Sequence, residues 1–321
     1  MKYPMLLEAP LKNYIWGGTR LKTEYGRTTD FEVIAESWEL SCHEDGESVI
    51  LNGAFSGKAL SAVVEQKPDF AGENSKKFKK FPLLVKLIDA NDKLSVQVHP
   101  NDEYAYKNEN GEYGKTEVWY IVDAVPDAKL IYGLKKDVTK QEFSEAIKDE
   151  KLADILNFVP VKKDDVFFIP SGLIHAICEG ILICEIQQNS NTTYRAYDWG
   201  RRDKNGNSRE LHIEHVVNVS KLTAESSTVD FALKKEKIGN NIYGVISECE
   251  YFKAYKYDIF DKIELECDGK SFHTLTFISG QGNIEYNGDS FEFSKGKTYF
   301  IPADLGKYLI NGKCEFILSG V

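Results

Sequence analysis

Short runs of alternating and apolar residues dominate the chain, and they predict strands. Phe81–Asp89, Leu94–His99, Glu117–Val122, Lys129–Gly133 and Asp165–Ile169 are rich in Val, Ile, Phe and Tyr. So are Leu182–Gln187, Phe252–Tyr257, Phe272–Ser279, Gly282–Tyr286 and Lys297–Ile301. Gly, Asn, Asp or Pro bounds most of these runs, as strand ends require. Regular short strands with turn signals predict a sandwich or barrel. Helical periodicity is scarce. Thr139–Asn157 opens on a Thr with Glu142 three residues on, a capping-box pattern, and carries an imperfect apolar stripe. Leu211–Leu222 is a second, weaker helix. It precedes the polar stretch Thr223–Val229, which marks a domain boundary.

One segment echoes another. Lys163–Gly172 (KDDVFFIPSG) resembles Lys295–Asp304 (KGKTYFIPAD): a turn, a strand, then Ile-Pro at the strand end. Two barrels of one type would produce such an echo, and so would chance.

Length and charge narrow the class. At 321 residues, 42% hydrophobic and 28% charged, the chain is globular with a prior of about two domains. Its formal charge of −10 argues against nucleic acid or an anionic membrane as partner. A local cationic pocket for a small anion remains compatible with that sign. No signal peptide and no stretch of about 20 apolar residues is expected. Six scattered cysteines without a CxxC read as reduced thiols, so the expected compartment is the cytoplasm.

Candidate chemistry begins at Gln97-Val98-His99. On a strand, residues i and i+2 share a face, so Gln97 and His99 project together while Val96 and Val98 point away. Glu117 opens the next strand, where its carboxylate can reach the same patch. His175 sits in the apolar stretch Leu173–Ile177, where a buried imidazole needs a partner. Two imidazoles and a carboxylate suit zinc or non-haem iron, while a carboxamide is an atypical zinc ligand. A divalent cation with one glutamate leaves a local charge of about +1, which suits an anionic enediolate. His212 and His215, spaced i, i+3 near Glu210 and Glu214, make a second metal site conceivable. Trp16 and Trp38 read as packing aromatics.

In context these residues resemble the type I mannose-6-phosphate isomerases in their short bacterial form. The resemblance rests on Leu94–Glu103 (LSVQVHPNDE), Gly114–Tyr120 (GKTEVWY), Ile169–Gly172 with His175, and Glu185 through Asn191–Asp198 (NTTYRAYD). Tyr14–Gly18 (YIWGG) and Glu36–Glu39 (ESWE) match as well, all in the family's order. The resemblance implies one zinc per chain, bound by Gln97, His99, Glu117 and His175. It implies Arg195 as an active-site residue with Lys115 and Glu185 beside it as candidate proton movers. It implies an all-β dominated fold of tandem cupin-like (jelly-roll) barrels with a few short helices. Residues 1–229 would form the catalytic zinc-binding domain, with a short helical segment near 139–157. Residues 230–321 would form a metal-free barrel. The implied reaction converts mannose 6-phosphate to fructose 6-phosphate, and back, through a cis-enediol. The substrate would be a small sugar phosphate, with neither nucleic acid nor membrane as partner. Two other functions share parts of this pattern. An iron dioxygenase would need open positions for oxygen, and a non-catalytic sugar-binding regulator would have lost Lys115, Glu185 or Arg195.

Overall fold

The computed structural model describes residues 1–202, 206–225 and 230–321. The end of the polar stretch Thr223–Val229, and with it the expected boundary at 229, lies outside the described residues. The chain packs as two compact units. The first comprises Met1–Asp89, Cys184–Asn189 and Leu233–Val321, and the second Ala90–Ile183 and Ser190–Ala232.

In the second unit, five short strands form an antiparallel sheet. Their order is Leu156–Pro160, Lys129–Leu134, His175–Ile177, Val96–Val98, Tyr194–Tyr197. Alternation sorts its side chains. Val96, Val98, Ile131, Ala176, Tyr194 and Ala196 face a core completed by Phe143 and Ile147 from the helix Lys140–Lys148 and by Val216 from the helix Ile213–Val219. The intervening residues Tyr132, His175, Gln97 and Arg195 stand side by side in register on the opposite face. Period two therefore buries one face and builds a polar row on the other.

The helix expected over 139–157 is shorter than its pattern. Thr139 and Glu142 form the capping box, with Thr139 Oγ1 accepting from Glu142 N at 3.2 Å. The helix stops at Lys148, because the next turn offers only Asp149, Glu150 and Lys151 to the core side and Glu150 takes a positive φ of 57°. The apolar residues beyond it form a 3₁₀ turn, Leu152–Asp154, and the edge strand Leu156–Pro160.

In the first unit, Lys235–Ile238, Asn241–Glu248, Lys253–Ile259, Cys314–Gly320, His273–Tyr286, Thr298–Ile301 and Met5–Glu8 pair in that order. Phe272–Ser279 and Gly282–Tyr286, expected as two strands, are one strand of 14 residues, His273–Tyr286. A register shift between Phe277 and Ser279 bends it, and Gly280 (φ 79°) lets it turn from one set of neighbours to the next. A β-carbon on Gly282 would lie 1.9 Å from the Asn311 carbonyl, so no side chain fits there. Trp16 and Trp38 are buried, in keeping with packing roles.

The echo noted in the sequence has the same local geometry in both copies. Val166–Ile169 and Thr298–Ile301 each run into a proline whose carbonyl accepts from the residue three on, Leu173 or Leu305. A left-handed residue sits two after each proline, Gly172 (φ 86°) and Asp304 (φ 58°). Five after the first proline stands His175; five after the second stands Lys307.

His273 gives the first unit a measurable acid sensitivity. Its Nδ1 lies 2.8 Å from the Tyr308 hydroxyl, and burial pushes its pKa down to about 4. A depressed histidine stabilises the fold in its neutral form. That contribution is complete above the unfolded value of about 6.5 and is lost as pH falls toward 4, about 3 kcal/mol over the window. Urea unfolding at pH 7 and at pH 4.5 should show wild type losing more stability than His273→Asn. Equal losses would remove His273 as the cause.

Candidate metal centre

The strand Glu117–Ala124 brings two residues of one face to His175. Glu117 Oε1 lies 3.4 Å from His175 Nε2, and the Trp119 ring meets the imidazole edge-on at 5.3 Å. His99 follows the strand Val96–Val98, and its Nε2 lies 3.6 Å from Glu117 Oε2. The two imidazole centroids are 4.8 Å apart. All three residues are essentially inaccessible. One ligand atom from each falls within 4.8 Å of the others, the sole such cluster among the described residues.

The tautomers suit a metal. His99 Nδ1 meets the Thr192 carbonyl at 2.9 Å, and His175 Nδ1 meets the Leu173 carbonyl at 2.8 Å. A carbonyl can only accept, so both Nδ1 atoms carry a proton, and the nitrogen that each neutral ring would offer a metal is the Nε2 on the side of Glu117. The 3.4 and 3.6 Å separations also match tetrahedral ligands, which at bond lengths of about 2.0–2.2 Å stand about 3.3–3.6 Å apart. The donor set therefore fits a divalent metal such as zinc.

Gln97 is half-buried and directly opposite His175 on one side and Arg195 on the other. Lys115 is buried, with Nζ 3.0 Å from Glu117 Oε2. It precedes the strand rather than lying on it. Its backbone N–H donates to the Pro100 carbonyl at 3.0 Å. Gly114 makes this approach possible, since a β-carbon there would lie 2.4 Å from the Asn101 and Asp102 backbone. Asp102 in turn accepts from Gly114 N, at the start of a helix capped by Asn101.

Arg195 lies among further arginines. Its Nη1 donates to the Glu210 carbonyl at 2.8 Å, while Nε has no hydrogen-bond partner among the described residues. Burial, and next the Arg209 charge, lower its pKa, with Asp198 opposing. Burial alone would raise the Asp198 carboxyl. Hydrogen bonds and charge from Arg209 and Arg201 instead hold it below the usual range. Arg201 also faces Asp92 at 3.6 Å, so Arg195, Arg201 and Arg209 share the carboxylates of Asp198 and Asp92 in a cationic cluster, on a chain whose formal charge is −10.

Glu185 belongs to the first unit. It is buried, with Lys86 Nζ 3.4 Å from Oε1; Lys86 also faces Glu36 at 3.7 Å and the Trp38 ring at 5.0 Å. Lys86, Arg201 and Arg209 were not among the residues expected at the site. Lys86 had a visible signal, a lysine in the apolar run Phe81–Asp89. The two arginines stood in a polar loop that resembled solvated surface. His212 and His215 do not form a second metal site: their Nδ1 atoms meet Arg195 N at 3.0 Å and the Tyr104 hydroxyl at 3.0 Å. The six cysteines are free, and no described helix is long and apolar enough to cross a membrane.

Comparison with known proteins places the fold and the family. The model of the type I phosphomannose isomerase catalytic domain matches residues 5–118, and that of the mannose-6-phosphate isomerase cupin domain matches residues 243–321. The chain is 39% identical over 316 residues to mannose-6-phosphate isomerase ManA of Bacillus subtilis, covering 98% of each. The crystal structure of the mannose 6-phosphate isomerase from Bacillus subtilis is 35% identical, with a TM-score of 0.92 and 100% of both chains covered. A mannose 6-phosphate isomerase structure described as holo and zinc bound shares the fold, at 16% identity, a TM-score of 0.80 and 98% coverage of each chain. The expected all-β fold of tandem cupin-like barrels with short helices is therefore the fold observed. With relatives matched from end to end, the chain belongs to the mannose-6-phosphate isomerase family and is an isomerase of the cupin class.

Proposed function

We propose that this isomerase is zinc-dependent and interconverts D-mannose 6-phosphate and D-fructose 6-phosphate through a cis-enediol. The observation that carries the reading is the buried His99–Glu117–His175 cluster with the Lys115 ammonium 3.0 Å from its carboxylate. Its support is the family, and the zinc described for a relative of the same fold. One zinc per chain would be held by His99, Glu117 and His175 with Gln97 as fourth ligand. Zinc bound there supplies a Lewis acid for the oxygens on C1 and C2.

The chain's own groups supply the rest. The reaction moves a proton between C1 and C2, so it needs a group that can take and return one. Lys115 is that group on the metal side, held by its backbone bond to Pro100 and its charge contact with Glu117. Glu185 is the second proton mover, its carboxylate balanced by Lys86. Arg195 presents a planar fork to the phosphate or to the enediolate oxygens. Arg201 and Arg209 add the positive field that draws in a dianionic substrate. Residues 230–321 form a barrel without a metal. Lys307 takes the echo position of His175, and the one histidine of that segment, His273, is bonded to Tyr308.

The test is restoration. Protein stripped with a chelator should turn over mannose 6-phosphate only after zinc is returned, with one zinc per chain by elemental analysis. Folded protein that holds stoichiometric zinc and yields no fructose 6-phosphate would refute the assignment.

A further inference from the structure

Arg195 lies on Tyr194–Tyr197, the outermost strand of the five-stranded sheet. In an antiparallel pair, one residue's N–H and C=O point to the same side. At Arg195 both point outward, away from Gln97. The Arg195 carbonyl accepts from the backbone N–H of His212 at 2.9 Å, and the Arg195 N–H donates to the His212 ring at Nδ1, 3.0 Å. Arg195 and Gln97 are then a non-hydrogen-bonded pair, the kind whose side chains approach most closely. The ladder is also irregular here, with a register shift between Arg195 and Tyr197. A third bond comes from the same segment, since the Glu210 carbonyl accepts from Arg195 Nη1 at 2.8 Å.

One histidine thus does the work of a missing neighbouring strand, its ring nitrogen standing where a strand carbonyl would accept. His212 is itself anchored. The helix Ile213–Val219 follows it, the His215 ring stacks on Tyr194 at 4.6 Å, and His215 Nδ1 meets the Tyr104 hydroxyl. Burial, and then the Arg195 charge, lower the pKa of His212 against the opposing pull of Glu210 and Glu109; His215 adds to the lowering. The ring therefore stays neutral near pH 7, the form in which Nδ1 can accept.

We infer that His212 is the positioning residue for Arg195, holding its backbone so that the side chain leaves the strand on the face that also carries Gln97 and His175. This rests on the proposed role of Arg195 in the reaction. Misplacing a reacting or binding group by about 1 Å costs on the order of a hundredfold in rate.

His212→Asn and His212→Gln separate positioning from bulk. The asparagine amide oxygen stands near the place of Nδ1 and can accept from Arg195 N–H. The glutamine oxygen, one carbon further out, stands near Nε2 and cannot. Both variants are neutral and polar, so both are expected to fold. His212→Gln should lose about tenfold or more in kcat/KM with zinc content unchanged, and His212→Asn should stay within about threefold of wild type. On an Arg195→Lys background, His212→Gln should add little further loss, because it acts through the arginine. Equal losses in both variants, or a loss by His212→Gln that persists in full on that background, would overturn the inference and leave His212 a structural residue. Wild-type kcat/KM in His212→Gln would overturn it too. Near-normal turnover in Arg195→Ala would instead remove the reading of Arg195 itself.

Discussion

Glu117→Gln should abolish metal-dependent turnover while leaving the fold intact. The side chain is fully buried, and its two oxygens face the Nε2 atoms of two imidazoles and one ammonium. Gln keeps the volume and one acceptor but removes the only formal negative charge among the three clustered residues. A divalent cation would then be desolvated against two neutral nitrogens and Lys115, an arrangement that burial makes costly. Loss of a Lewis acid worth several kcal/mol corresponds to a fall in kcat of about a thousandfold or more. Two readouts locate the cause. Zinc should raise the Tm of wild type by mass action and leave that of the variant unchanged, and the two proteins should unfold alike in chelator. A variant that keeps stoichiometric zinc and wild-type kcat would show that Glu117 is no ligand.

Lys115→Met should lower kcat by about a hundredfold to ten-thousandfold, the range for losing a general acid–base group. Methionine keeps most of the apolar stem and deletes the ammonium that faces Glu117 Oε2. A purely electrostatic role makes a different forecast. Lys115→Arg retains the charge beside Glu117, yet a guanidinium does not give up its proton near neutrality. Proton transfer by Lys115 therefore predicts that both variants are slow with zinc bound. Recovery in Lys115→Arg would assign the lysine to charge balance alone, and normal turnover in Lys115→Met would remove it from the mechanism.

Much of the candidate site was legible because strands alternate. Gln97 and His99 had to share a face once Val96 and Val98 were given to the core, and the core contains both valines. The capping box at Thr139 and Glu142 was equally local and formed as written. The length of that helix was not local. Its stripe continued in the sequence, but Leu152, Ile155 and Leu156 reach the same core through a turn and a strand. The bend in His273–Tyr286 was hidden for a similar reason. Glycines that usually end a strand here let one strand change partners.

The sequence by itself determined the barrel class, the family, and the residue types of a candidate metal site, because pattern, turn chemistry and ordered motifs are properties of neighbouring residues. Only the tertiary structure decided which partners those residues meet. The Thr192 carbonyl that meets His99 Nδ1 lies 93 residues from the ring it bonds. Gln97 stands between His175 and Arg195 by strand order, and His212 grips Arg195 from 17 residues away. Such contacts depend on sheet register and on which strand is left at an edge. Both are settled when many distant segments pack at once, so no single stretch of sequence records them.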